Sequence, residues 1–331
     1  MGKNPYCNTF RKLLKMRAFK PLVLKQFLLL TFCFIPLIGC VYADVKPSNF
    51  AIENVGDGIY VHHGEHLDID DGYTGDICNI SFVVGERGVA VIDTGGSLKV
   101  GKKLREAIKK VTDKPILYVI NTHVHPDHIY GNAAFLQDKS QFVGHAKLGD
   151  AMQLREEAYD KLNSRYLGAD ATGSVIIKPT LPIKAPTDLD LGGRTLKVTP
   201  YPNAHTNTDI SVIDSKTATL FTGDLLFIER TPVVEGDIKG LIATIEELKT
   251  YPVKQVVPGH GPAAKDWLSA LNNEQRYLNT LLADMRAVIK SGGDMGKAMD
   301  TAAAGEKHKW LLFDIANRRN VNTLYPALEW E

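Results

Sequence analysis

Residues 122–132, "THVHPDHIYGN", place three histidines and an aspartate within six positions, directly after the apolar run "ILYVIN". The chain has only ten histidines in 331 residues, so this crowding at an apparent strand end points to metal chemistry. His123 and His125 stand two apart on extended chain, project the same way and can grip one cation. Pro126 can open a helix, because its missing N–H is not needed in a first turn. Asp127 and His128 then lie past a bend and aim at a second cation. Three further residues lie on loops after strands, where a scaffold holds ligands well. His205 lies in "PYPNAHTNTD" after "RTLKV", and His260 in "VVPGHGP" after "KQVV", between glycines that let the backbone pass close to a site. Asp224 ends "TLFTGD", where the two oxygens of one carboxylate can bridge two ions. One such histidine alone would read as an ordinary buried or surface residue. Five at strand ends read as a ligand set.

The elements that must carry these residues are legible in outline. "GDGIYVHHG", "CNISFVVGERGVAVIDTG", "RTLKVTPYP" and "DISVIDSKTATLFTGD" are short, β-branched-rich runs broken by Gly or charged turns, and read as strands. "FVVGERGVAVIDTG" and "SVIDSKTATLFTGD" are similar hairpins, which suggests two related halves. Ser97 can cap a helix over "LKVGKKLREAIKKVT", with Leu98, Leu104, Ala107, Ile108 and Val111 mostly on one face. "GHAKLGDAMQLREEAYDKLNSRYLG" and "DIKGLIATIEELKTY" follow the same pattern. From about residue 263 the strand signal ends, and "KDWLSALNNEQRYLNTLLADMRAVIKSGG" opens a helical stretch to the C-terminus. The expected class is α/β with layered sheets and a C-terminal helical appendage.

The first 43 residues belong to something else. They hold seven of the 39 basic residues and none of the 38 acids, then the apolar run "FLLLTFCFIPLIG", of signal-peptide length. Two exits follow: "VYA" ending at Ala43 suits a signal peptidase, and "LIGC" resembles a lipobox that would leave Cys40 lipidated. The expectation is export, to the periplasm or to a membrane through Cys40. Without this leader the chain carries 32 basic against 38 acidic residues, net −6, and no Lys/Arg-rich tract favours nucleic acid. Cys78 is the one cysteine after the leader, so no internal disulfide can form there, and it reads as a buried strand thiol.

In these motifs the sequence resembles the metallo-β-lactamase superfamily, over about residues 55–262. "HVHPDH" matches the family's signature, "AHTNTD" its third-histidine motif, "FTGD" its bridging aspartate and "PGHG" its last histidine. The resemblance implies a four-layer αββα sandwich over residues 44–262, with residues 263–331 as the helical region. It implies one ion on His123, His125 and His205, another on Asp127, His128 and His260, and Asp224 between them. "VIDTG" matches the first family motif, in which Asp93 supports the histidine loop. Subclass B1 lactamases carry a cysteine where this chain has Asp224, as glyoxalase II-like hydrolases do, which argues against β-lactam hydrolysis as the native activity. "LLFIERTPVVEGDIKG" and "RRNVNTLYPALEWE" look like the quinoprotein relay system zinc metallohydrolases, exported proteins associated with quinoprotein dehydrogenase systems.

The chemistry expected of such a site is hydrolysis of a small-molecule ester, thioester, lactone or amide-type bond. Two divalent ions sharing a water lower its pKa and hold it against a carbonyl. Zinc is the expected ion, and manganese and iron also suit an all-N/O set. Asp127 is the residue placed to orient the water and shuttle its proton. Arg230 is a candidate contact for an anionic substrate, and Tyr130 a candidate cleft residue by its position after the motif. His62, His63 and His66 are expected to serve the strand or the surface, and Trp267 and Trp310 to pack the helical region. Two alternatives stay open: a persulfide dioxygenase-like oxidoreductase with one iron, and a non-catalytic periplasmic binding partner of a dehydrogenase.

Overall fold

A computed structural model describes residues 50–70 and 72–331. The leader, with Cys40 and both processing signals, lies outside the described residues. Seven strands form one sheet in chain order: β1 (Glu53–Gly56), β2 (Ile59–His62), β3 (Ile80–Val84), β4 (Val89–Ile92), β5 (Ile116–Ile120), β6 (Gln141–His145) and β7 (Leu181–Ile183). Pairing is antiparallel up to β4 and parallel from there on. The second sheet holds β8 (Thr187–Asp190), β9 (Thr195–Pro200), β10 (Ile210–Asp214), β11 (Thr219–Phe227) and β12 (Gln255–His260), also in chain order. It is antiparallel up to β11, and β12 joins β11 in parallel.

The strand alternation sorts side chains into two faces. On β3 and β4, Val83, Ala90 and Ile92 turn inward, meeting Leu196, Val198, Val212 and Phe221 of the second sheet. Phe82, Val89 and Val91 turn outward beneath α1 (Leu98–Val111). That helix is capped by Ser97, whose hydroxyl accepts from Val100 N–H, and buries Val100, Leu104 and Ile108. Val111, expected on this face, is exposed at the last turn. A short α2 (Pro126–Ile129) follows β5, and α3 (Leu148–Leu167) follows β6. Gly144 and His145, expected to open α3, instead complete β6, where they pair with β7.

The outer face of the second sheet is covered by α4 (Ile238–Leu248), α5 (Trp267–Lys290) and α7 (Phe313–Leu328), with α6 (Met295–Thr301) between α5 and α7. Leu220, Leu225 and Val256 of the sheet share one apolar cluster with Ile245, Tyr277, Leu281 and Tyr325 of the helices. Trp267 and Trp310 belong to it too. The architecture is the expected αββα sandwich, with C-terminal helices continuing the outer layer. The two hairpins, β3–β4 and β10–β11, hold equivalent places: each second strand pairs in parallel with a strand whose end carries histidine.

Candidate metal centre

The segment after β5, the loop after β9, the interior of β11 and the end of β12 bring all seven expected residues to one place. β5 runs into Thr122 and His123, and Pro126 starts α2 as its ring geometry favours, putting Asp127 and His128 on that turn. His205 comes from the loop between β9 and β10, Asp224 from within β11, and His260 from the end of β12. Ligand-capable atoms of His123, His125, His205 and Asp224 form one group, and those of His128, Asp224 and His260 another. Asp224 belongs to both. Its Oδ2 lies 3.3 Å from His205 Nε2, 3.3 Å from His260 Nε2 and 3.7 Å from His123 Nε2. Its Oδ1 lies 3.3 Å from His128 Nε2. Asp127 Oδ2 stands 3.4 Å from His128 Nε2 and 3.5 Å from His260 Nε2.

Backbone shape permits this. Gly223 has φ +52°, and a Cβ there would come within 2.5 Å of the Thr122 side chain. A Cβ on Gly259 would fall 1.9 Å from Asp224 Oδ1. Both glycines are needed for the carboxylate to sit where it does.

The five imidazoles are each fixed by a partner on their far nitrogen. His205 Nδ1 donates to Val233 O at 2.7 Å and His260 Nδ1 to Ile77 O at 2.7 Å. His125 Nε2 donates to Glu235 Oε2 at 2.7 Å, and His128 Nδ1 to Asp93 Oδ2 at 2.8 Å. Thr122 Oγ1 donates to Asp93 Oδ2 at 2.7 Å and so accepts from His123 Nδ1 at 3.0 Å. These acceptors fix the tautomers, and every remaining nitrogen presents a lone pair to the centre. His125 Nδ1 then lies 3.1 Å from His123 Nε2 and 3.0 Å from His205 Nε2, with no proton to share. His128 Nε2 and Asp224 Oδ1 are buried without a hydrogen-bond partner. Lone pairs this close, and polar atoms left bare in the interior, are costly unless a cation lies among them. The residues fit divalent ions.

The electrostatics agree. Burial pushes His205 down to about 4 and His123 well below its ordinary value, which keeps both imidazoles neutral and able to ligate. Burial works against charge on Asp224, but His260 and His128 outweigh it and hold the carboxyl well below the usual range. Burial alone would lower His128, yet the carboxylates Asp224, Asp127 and Asp93 raise it well above the usual value. This spot draws positive charge. Burial lifts the Cys78 thiol to about 12, and its S–H donates to Asp127 O at 2.8 Å. Burial also lifts Asp209 to about 7. Its carboxyl accepts from Thr206 N–H at 2.8 Å and Thr206 Oγ1 at 2.6 Å, bracing the loop of His205.

Asp93 stands as the histidine loop requires, with φ +56° and one oxygen on Thr122 N–H at 2.8 Å. His62, His63 and His66 stay outside the centre, paired with Asp76, Glu53 and Glu229. Tyr130 does not line the cleft. It is fully buried beside Val124, Leu148 and Met152, with its hydroxyl on Asp160 at 2.8 Å. Tyr159 of α3 lines the cleft instead. Arg230 is buried at 7% exposure and lines the cleft. Sequence reasoning missed Glu235, which orients His125 and is itself held by Arg155 at 2.5 Å. Its only signal was its place in "TPVVEGD", soon after Asp224.

Comparison with known proteins agrees with this fold. The family profile described as "Metallo-beta-lactamase superfamily" matches residues 73–260, more than half of the chain. A linear primary-alkylsulfatase of Pseudomonas sp. is 36% identical over 61 residues, 18% of this chain and 12% of that protein. A Streptococcus pyogenes protein named "probable metallo-hydrolase" is 29% identical over 199 residues, 56% of this chain and 79% of its own. Among solved structures, a sec-alkylsulfatase from Pseudomonas sp. superposes with a TM-score of 0.67 at 17% identity. That match covers 84% of this chain and 50% of the other, and it is a likeness of fold.

Proposed function

The chain belongs to the metallo-β-lactamase superfamily, and on that premise we propose that it is a metal-dependent hydrolase with a dinuclear centre, zinc first among the candidate ions. The observation that carries this reading is the set of five imidazoles, each pinned on one nitrogen and turning the other toward Asp224. His123, His125 and His205 would hold one ion, Asp127, His128 and His260 the other, and Asp224 both. Bound there, divalent ions supply Lewis-acid polarisation of the scissile group and a water acidified toward neutrality. The protein's own residues supply orientation and proton transfer. Asp127 lines the open cleft and touches both His128 and His260. Its carboxylate takes the proton from the attacking water and passes it to the leaving group. Glu235 and Asp93 keep the imidazoles in the ligating tautomer.

The substrate bond is an ester, thioester, lactone or amide, and sulfate esters join the test panel because relatives are alkylsulfatases. The basic leader and apolar run support export as part of this proposal, and the resemblance to the quinoprotein relay system hydrolases supports a quinoprotein dehydrogenase system as its setting. Metal analysis of the purified chain, run beside the substrate panel before and after chelation, tests the function. The expected result is close to two ions per chain and hydrolysis that chelation removes and zinc restores. A fully metallated protein inert on every class, or activity that survives chelation, would overturn it.

A further inference from the structure

The cleft over Asp127 and Asp224 has a volume of about 420 Å³. Its lining includes apolar Ile69, Ile77, Leu162 and Val233 together with the two guanidinium groups of Arg230 and Arg319. Among the described residues no carboxylate pairs with the Arg230 side chain. Its recorded neighbour is His260 Nδ1, 3.5 Å from Nη1, and that nitrogen already donates to Ile77 O, so it cannot accept. Asp127, Asp224 and Asp68 act on this buried guanidinium only from a distance, and an anion in the cleft would give it a direct partner.

The C-terminal helices fix this arrangement. Leu311 bridges to the backbone of Arg230: its N–H donates to Glu229 O at 2.7 Å, and its carbonyl accepts from Thr231 N–H at 3.0 Å. Buried Asn320 of α7 grips the same loop, accepting from Val234 N–H at 2.9 Å and donating to Pro232 O at 2.7 Å. The register of α7 is therefore locked to the loop of Arg230, and Arg319 is carried to the cleft with it. Residues 73–260 match the superfamily profile, so Arg319 comes from beyond the shared region. Arg319 Nη2 meets the two oxygens of Asp68 at 3.3 and 3.4 Å, long for a charge-assisted pair. Arg319 is also 42% exposed on its side chain, so this contact is weak and displaceable.

We propose that Arg230, one imidazole's width from the ligand set, and Arg319 form a clamp for a carboxylate on the substrate, and that Asp68 caps Arg319 until that carboxylate displaces it. The substrate class is then an ester or thioester bearing a carboxylate a few bonds from the scissile carbonyl, its apolar part lying along Ile69 and Leu162. Asp68 shows that a carboxylate fits the Arg319 half of the clamp. What lies at the other end of the substrate rests on the hydrolase reading; the anion site does not.

Calorimetric titration of the metal-loaded full chain with monomethyl glutarate and dimethyl glutarate tests the clamp. The monoacid should bind at least about tenfold more tightly than the diester, and Arg230→Met and Arg319→Met should each remove about tenfold of that preference. Asp68→Asn keeps an oxygen for Ile69 N–H but loses the competing charge, so monoacid affinity should rise a few-fold, a gain that a damaged fold cannot produce. Hydrolysis of the 4-nitrophenyl monoester of glutarate against 4-nitrophenyl butyrate gives a second readout, in which the arginine variants should lower the kcat/KM ratio mainly through KM. No preference for the monoacid, or one that persists in both arginine variants because the ions themselves bind it, overturns the clamp. Preference in the titration without hydrolysis of any ester overturns the hydrolase reading and leaves the clamp standing.

Discussion

His123, His125 and His205 meet nitrogen to nitrogen at 3.1 and 3.0 Å, whereas His128 and His260 face Asp127 and Asp224 at 3.3 to 3.5 Å. The first group offers neutral donors and shares only Asp224 as an anion. The second adds Asp127, with Cys78 close by. Neutral imidazoles suit zinc, and a carboxylate-richer site admits harder ions such as manganese. The two groups should therefore differ in affinity and in metal preference, while Asp224 makes each depend on the other. Two carboxylates also leave a pair of divalent ions net positive. That is the electrostatic setting in which an anionic substrate is drawn to the cleft.

Substitutions at four positions break or sharpen this contrast, in order of expected effect. Asp224→Ala removes the one anion both groups share. Metal content should fall by at least one ion per chain, and hydrolysis by more than the 10–100-fold typical of an outer-shell change. Elemental analysis showing both ions retained would remove Asp224 from the centre. Asp93→Ala reaches both groups, since Asp93 holds His128 directly and His123 through Thr122. Metal affinity should fall by about 10–100-fold. Urea unfolding of the chelated protein should show a loss of about 2 kcal/mol, because buried donors lose their acceptor. Asp93→Asn should cost less, as asparagine tolerates the positive φ and still accepts.

Among the ligand residues Glu235→Gln touches His125 alone, its other partner being Arg155. Stepwise metal titration should show one ion weakened by about tenfold and the other unchanged. Equal weakening of both would mean that the groups are not separable. Cys78→Ser should do least, with a stability change under about 1 kcal/mol, because a hydroxyl can still donate to Asp127 O. Loss of an ion in that variant would make Cys78 a ligand of the second group.

The ligand types were legible because their spacing is local. Two histidines on alternate positions of extended chain share a side, and a proline bends the chain before the next pair, whatever the rest of the fold does. His205 and His260 were legible because β-branched runs mark strand ends, whereas Asp224, expected on a loop after its strand, lies within β11, which runs on to Phe227. The two hairpins announced their common topology in the same way.

Tyr130 shows where that reasoning ends. Its nearness to the motif says nothing about direction, and the α2 turn sends it into the core while Tyr159, on another helix, takes the cleft. The pinned tautomers, Glu235 on His125 from 110 residues away, and Arg319 beside Asp68 across 251 residues are likewise products of tertiary packing. Periodicity and spacing record which face of an element a residue occupies. Which distant side chain meets that face depends on how sheets and helices stack, and that is settled by the burial of the two apolar faces of each sheet together rather than by any local stretch of chain.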